Sequence, residues 1–178
     1  MALEIERRFL VLETGFLQPL TGERIIQGYV AKEAGAMTTR VRIRGQRAYL
    51  TLKGPINDLC RDEFEYPIPV DDARQILASH CGGVLVEKTR YLVDYRSQCF
   101  EVDVFHGRLS GLTIAELELA RPDQHIQRPP WLGPEVTGDK RYGNYALAQF
   151  GLPTVAAGIA SPTFRGAPQS VRPGGERH

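Results

Sequence analysis

The chain has little of what marks several familiar protein classes. Cysteine occurs three times in 178 residues, at Cys60, Cys81 and Cys99, an odd number without a CxxC spacing. These suit free thiols in a reducing cytosol better than a disulfide framework or a zinc site. The four histidines, His80, His106, His125 and His178, form no HxxxH or HExxH pattern, which argues against a zinc hydrolase. Net charge is almost absent: 22 Lys and Arg against 21 Asp and Glu leave a formal +1. A surface built to coat a polyanion is not indicated. No stretch approaches the roughly 18 apolar residues of a membrane span. Glu4, Glu6, Arg7, Arg8 and Glu13 occupy the place of a signal peptide's apolar run. The expectation is a cytoplasmic protein with neither membrane nor nucleic acid as partner, acting as a monomer or homodimer.

What is present is an ordinary globular composition, 42% hydrophobic and 24% charged, with an unusual arrangement of the charges. Residues 1–152 read as one domain. Residues 153–178 are dominated by Pro, Gly, Ala and Ser and read as a disordered tail. Within the domain, one strand-like run after another alternates charged with apolar residues at period two. Side chains at that spacing share one face of a strand.

The pattern starts with Glu4, Glu6 and Arg8, opposite Ile5 and Phe9. It continues through Arg40, Arg42 and Arg44, then Tyr49, Thr51 and Lys53, then Arg61, Glu63 and Glu65. Lys88 with Arg90, Glu101 with Asp103, and Glu116 with Glu118 complete it. Arg24–Val30, carrying Gly28, reads as a further strand. A helix capped by Asp71-Asp72 is expected up to Gly82-Gly83. A short helix is expected over Arg141–Phe150. Gln124–Pro134, with the single tryptophan Trp131, reads as a packed loop.

Two carboxylates at i and i+2 lie roughly 7 Å apart on a strand. At an effective dielectric near 20 they repel by about 2 kcal/mol unless a cation lies between them. A hard divalent cation would supply that charge. The plain alternative for any one strand is a solvated charged face. About eight strands joined by short turns readily close into a barrel, however, whose interior would be the charged face. Such an interior must compensate its own charges. Arg42, Arg44 and Arg90 could grip phosphate oxygens bidentately, with Lys53 and Lys88 as point charges. Helices are expected outside, over the apolar face.

These runs resemble the CYTH superfamily, the triphosphate tunnel metalloenzymes. The resemblance rests on Glu4-Ile5-Glu6-Arg7-Arg8, Gln27-Gly28-Tyr29, Val41-Arg42-Ile43-Arg44, Leu52-Lys53-Gly54 and Arg61-Asp62-Glu63-Phe64-Glu65. It continues through Lys88-Thr89-Arg90-Tyr91, Glu101-Val102-Asp103-Val104-Phe105, Glu116-Leu117-Glu118-Leu119, Trp131-Leu132-Gly133, Glu135-Val136-Thr137 and Arg141-Tyr142. It implies a mainly β protein with flanking helices, an eight-stranded antiparallel closed tunnel, and processing of triphosphates with Mg2+ or Mn2+. Carried over by position, Glu4, Glu6, Asp103, Glu116 and Glu118 would hold metal. Arg42, Arg44, Lys53, Lys88 and Arg90 would bind the triphosphate. Glu63 and Glu65 would pair with tunnel cations or orient the attacking water. Tyr29 would either set its hydroxyl against those cations or serve as a buried structural tyrosine. Arg8 stands where the family signature has lysine; it keeps the charge and can bind phosphate, but cannot readily move a proton near neutral pH.

The expected activity is metal-dependent hydrolysis of inorganic triphosphate to phosphate and pyrophosphate. Thiamine triphosphatase and class IV adenylyl cyclase share the same motifs. A non-catalytic polyphosphate- or nucleotide-binding module is the alternative of a different class, and metal-dependent phosphate release separates it from the enzymes.

Overall fold

A computed structural model describes residues 5–31, 37–54, 63–82 and 84–153. The expected tail from residue 154 onward, Glu4, Cys60, Arg61 and Gly83 lie outside the described residues. The strands are β1 (Ile5–Val11), β2 (Glu23–Ala31), β3 (Thr38–Arg44), β4 (Arg47–Lys53), β5 (Glu63–Ile68), β6 (Leu85–Tyr95), β7 (Gln98–Phe105), β8 (Thr113–Leu119) and β9 (Leu132–Glu135). The helices are α1 (Val70–His80) and α2 (Asn144–Phe150). All nine strands join one sheet in the order β5-β4-β3-β2-β6-β7-β8-β1-β9, and every pairing is antiparallel.

The mainly β architecture with two helices matches the expectation, but its closure does not. β5 and β9 form the two ends of the sheet and share no ladder, so the barrel is an open nine-stranded sheet among the described residues. The extra strand lies inside the stretch read as a loop. β9 is four residues long, contains Gly133 and Pro134, and shows no alternation to read. Its glycine is needed for close approach: a Cβ at Gly133 would stand 2.8 Å from the Leu10 carbonyl oxygen. β9 occupies the edge of β1 that closure would have used.

Alternation sends one face of the sheet to two apolar clusters, and a third lies at one end of the opposite face. α1 lays Ala73, Leu77 and Cys81 against Val41 and Ala48, with Ile26, Ile43 and Leu50 beside them. Its N-cap is Pro69, and Asp71 and Asp72 lie inside the first turn, where they favour the helix dipole instead of capping it. Gly82, at φ +61°, turns the chain out of the helix. Loops cover the same face of β1, β6, β7 and β8. There Phe9, Val93, Phe100, Val102, Ala115 and Leu117 meet Leu17, Ile126 and Trp131. Trp131 stacks on Phe16 with ring centroids 4.5 Å apart and meets Phe100 edge-on at 5.3 Å.

The third cluster corrects the expectation that both helices lie outside. Leu10, Val86, Phe105 and Ile114 share a face with Arg8, Lys88, Asp103 and Glu116 by strand alternation. α2 covers them with Leu147 and Ala148, both fully buried. At one end of β1, β6, β7 and β8 the charged face gives way to apolar residues, and the second helix seats there.

Candidate functional site

Register assembles the charged face row by row. Glu6 stands opposite Glu118, and Arg8 opposite Glu116. Glu116 faces Glu101 on β7, and Asp103 faces Arg90 on β6. Arg90 in turn faces Glu23 on β2, and Lys88 faces Ile25. Gln27 lies opposite Arg42 and Tyr29 opposite Arg40. Arg40 then meets Thr51 on β4, Thr51 meets Glu65, and Lys53 meets Glu63. Strands distant in sequence thus bring the expected residues from Glu6 to Glu118 that are described onto one surface.

Two networks hold them. The first centres on Asp103, 1% exposed, which accepts from Lys88 Nζ at 2.5 Å and from Arg90 Nε and Nη2 at 2.7 Å each. Arg90 also donates to Glu101 and, at 2.8 Å, to Glu116. Arg8 pairs with Glu6 and brings its Nε within 3.0 Å of Glu116. The second network centres on Glu65. Its carboxylate accepts from Thr51 Oγ1 at 2.8 Å, Arg42 Nη2 at 3.0 Å and Arg40 Nη2 at 3.2 Å. Lys53 pairs with Glu63 at 2.7 Å. Arg40, which could have been a rim charge, belongs to this cluster.

Electrostatics differ between the two. Burial alone would raise Asp103, but Lys88 and Arg90 more than offset it and hold the carboxyl below its ordinary range. Burial also opposes the charge of Arg90, yet Asp103, Glu116 and Glu101 outweigh it and raise the guanidinium's pKa. Lys88 has one close carboxylate in a fully buried setting, so burial wins and its pKa falls. In the other network burial lowers Arg42, and the neighbouring Arg40 lowers it further. Glu65 is pushed up by burial but brought net down by Thr51, Arg42 and Arg40.

Among the described residues, the Nε atoms of Arg40 and Arg42 are buried and find no hydrogen-bond acceptor, while that of Arg8 is buried 3.0 Å from Glu116 without an aligned hydrogen bond. Buried donors are normally satisfied, so this face offers places for an anion's oxygens. A cavity of about 270 Å³ opens between Arg44 and Arg90, lined by Leu20, Thr21, Glu23 and Leu92. For a metal, the fit lies in Glu6 and Glu118. Like charges directly opposite on neighbouring strands repel, and their oxygens suit a hard divalent cation. Glu116 is adjacent. Asp103 stands apart, enclosed by its two cations. Among the described residues no three carboxylate, histidine or cysteine side chains gather as a ready metal site.

The sequence reading missed Glu23 and Gln27. Glu23 grips Arg44, and Gln27 is 1% exposed. The signal was available in β2, where Glu23, Ile25, Gln27 and Tyr29 alternate, but the strand begins one residue earlier than expected. His106, which lacked an evident partner in the sequence, lies 2.8 Å from Thr89 Oγ1.

The model of the CYTH domain matches residues 2–145. An inorganic triphosphatase of Acetivibrio thermocellus is 38% identical over 149 residues, covering 84% of this chain and 95% of the relative. An inorganic triphosphatase of Nitrosomonas europaea is 41% identical over 152 residues, covering 82% and 96%. A crystal structure of an inorganic triphosphatase superposes with a TM-score of 0.66 at 39% identity, covering 83% of this chain and 95% of its own.

Proposed function

This chain belongs to the CYTH domain family, and from that premise we infer that it is a divalent-metal-dependent inorganic triphosphatase. Water attacks a terminal phosphorus of tripolyphosphate, the phosphoanhydride bond breaks, and orthophosphate and pyrophosphate leave. The observation that carries the reading is the pair of buried guanidinium nitrogens without acceptors, on Arg40 and Arg42, on a face whose opposite pole is carboxylate. The two relatives named as inorganic triphosphatases support it.

In this reading Arg42, with Arg8, Arg44 and Lys53, binds the triphosphate, and Arg40 joins them. Their fixed forks position the chain and stabilise charge that develops on its oxygens. Glu65, held below its ordinary range by Thr51, Arg42 and Arg40, and Glu63 order these cations and the attacking water. Arg90 and Lys88 contribute positive charge from beneath, and Asp103 anchors both. Tyr29 sets its hydroxyl beside Arg40. Glu6, Glu118 and Glu116, with Glu4, would hold Mg2+ or Mn2+, which when bound neutralises phosphate charge and lowers the pKa of the attacking water. Arg8 acts by charge and needs no proton transfer.

We further take the substrate to be a small molecule handled in the cytosol by a monomer or homodimer. Among the described residues no helix is long and apolar enough to cross a membrane. The deciding experiment measures phosphate release from tripolyphosphate, pyrophosphate, ATP and thiamine triphosphate with magnesium and with manganese, scoring cyclic AMP as a product of ATP. Preference for tripolyphosphate is expected. Tight tripolyphosphate binding without phosphate release under either metal would refute the reading.

A further inference from the structure

The main chain of Arg8 is gripped from the outer edge of β1 by a turn that the proposed reaction leaves unused. β9 stops at Glu135, and its ladder with β1 ends at the pair Phe9 and Glu135. The chain beyond it keeps hold of β1. Val136 N–H donates to the Arg8 carbonyl oxygen at 2.8 Å. The Arg8 N–H donates to Thr137 Oγ1 at 3.1 Å, so a side chain stands in for the next strand residue. Further on, the turn into α2 passes the guanidinium: a Cβ at Gly143 would stand 4.0 Å from Arg8 Nη1.

Chemistry fixes the direction of these bonds. A threonine hydroxyl has one proton to give and lone pairs to accept with. Thr137 gives its proton to Glu135 Oε1, 2.5 Å away, because an ionised carboxylate only accepts. Arg7 keeps Glu135 ionised, with its Nε 2.7 Å from the same oxygen. With its proton committed, Thr137 Oγ1 has only lone pairs left to offer, and the Arg8 N–H takes one of them. Arg7 and Arg8 point to opposite faces of β1. An ion pair on the outer face therefore fixes the main chain of the residue that points inward. We propose that Thr137 is a positioning residue: with Glu135 and Arg7 it sets the Arg8 main chain so that the guanidinium meets Glu6, Glu116 and the triphosphate in one place. The proposal rests on the triphosphate reading above. A small tilt of that peptide is magnified at the far end of a long side chain.

The test is a double-mutant cycle on the full chain, read in kcat/KM for tripolyphosphate and in metal-free tripolyphosphate binding by calorimetry. Thr137 is exposed, so water takes part of its place when the hydroxyl is removed. Thr137→Val, of the same shape, should therefore cost about three- to tenfold. Thr137→Ser, which keeps the hydroxyl, should retain at least about half of the activity. In the Arg8→Ala background Thr137→Val should cost less than about twofold. Should the valine variant fail to fold, Glu135→Ala releases the hydroxyl proton instead, with a cost of about two- to fivefold that likewise vanishes with Arg8. An undiminished cost in the Arg8→Ala background would mean that Thr137 acts through another group and would overturn the proposal. Equal losses in Thr137→Ser and Thr137→Val would overturn it too. So would a lower melting temperature with unchanged kcat/KM and unchanged binding, which leaves the triphosphatase reading standing. If wild type binds tripolyphosphate but releases no phosphate, that reading fails, and the same coupling in the binding constants would still support Thr137.

Discussion

The two networks of the charged face treat their cations in opposite ways. Around β6, β7, β8 and β1 each cation has carboxylates to hand: Asp103 lies between Lys88 and Arg90, Glu116 between Arg90 and Arg8. Around β3 and β4, Arg40 and Arg42 share Glu65, with Glu63 3.9 Å from Arg40, and both keep an Nε without an acceptor. Burial and like charge lower Arg42, whereas burial is outweighed at Arg90. The first region is a compensated electrostatic unit that helps define the sheet. The second is left short of negative charge, and an incoming anion supplies it. The same residue types therefore serve stability on one side and binding on the other.

The sharpest way to break this contrast is at Asp103. Asp103→Asn should strip the counter-ion from Lys88 and Arg90 and destabilise the fold by about 3–5 kcal/mol, the usual cost of orphaning a buried charge. Chemical denaturation measures it, and a loss below 1 kcal/mol would show that the cluster is not a structural unit. The mirror experiment is Arg42→Ala. Here the melting temperature should hold or rise, since burial and repulsion from Arg40 are relieved, while kcat/KM for tripolyphosphate falls about ten- to a hundredfold. A stability loss as large as that of Asp103→Asn would erase the distinction drawn between the regions.

Arg8, on β1, pairs with Glu6 and has Glu116 3.0 Å from its Nε. Arg8→Ala should lose about tenfold or more in phosphate release, and Arg8→Lys should keep much of the activity because the charge persists. A faster Arg8→Lys enzyme would instead indicate a proton passing through this position.

The smallest effect concerns an ion pair at the margin. Arg7, with Thr137, holds the Glu135 carboxyl down at about 2 from an ordinary 4.5. A carboxyl depressed by folding adds stability above its unfolded pKa and loses it as pH falls through the folded one. The contribution should be present above about pH 4.5 and fade towards pH 2, on the order of the 0–1 kcal/mol of exposed pairs. Melting curves from pH 6 to pH 3 should drop less steeply for Glu135→Gln than for wild type; parallel curves would contradict the assignment.

Much of this was legible because period-two alternation is a strong signal. Thr38–Arg44 is recovered residue for residue as β3, and the charged faces from Glu6 to Glu118 emerge on one surface. What escaped lacked alternation or depended on partners. β9 is short and carries a proline and a glycine, so its pairing with β1 reveals it as a strand where the pattern does not. The seat of α2 depends on Val86, Phe105 and Ile114 lying at the apolar end of strands whose other residues are charged. Sequence pattern shows that end as ordinary alternation. Nor could residue type tell Asp103 apart from Glu116 or Glu118; only its enclosure by Lys88 and Arg90 does so. Thr51 likewise reads as a strand residue until its hydroxyl is found on Glu65.

The pairing of β1 between β8 and β9 governs when the acidic pole can form at all. β1 precedes the other eight described strands in the chain, yet Glu6 finds Glu118 only after roughly 110 further residues have been made. The β2–β3–β4–β5 meander is local and can pair early. β1 must wait, without its ladder partners, until β8 and β9 have been made. Such long-range closure is slow, on the millisecond-to-second scale of high contact-order β proteins. A nascent chain stalled before β8 would hold its arginine-rich strands in place with no acidic pole opposite them. The acidic residues of β1 are thus made well before the strand that completes their pairing.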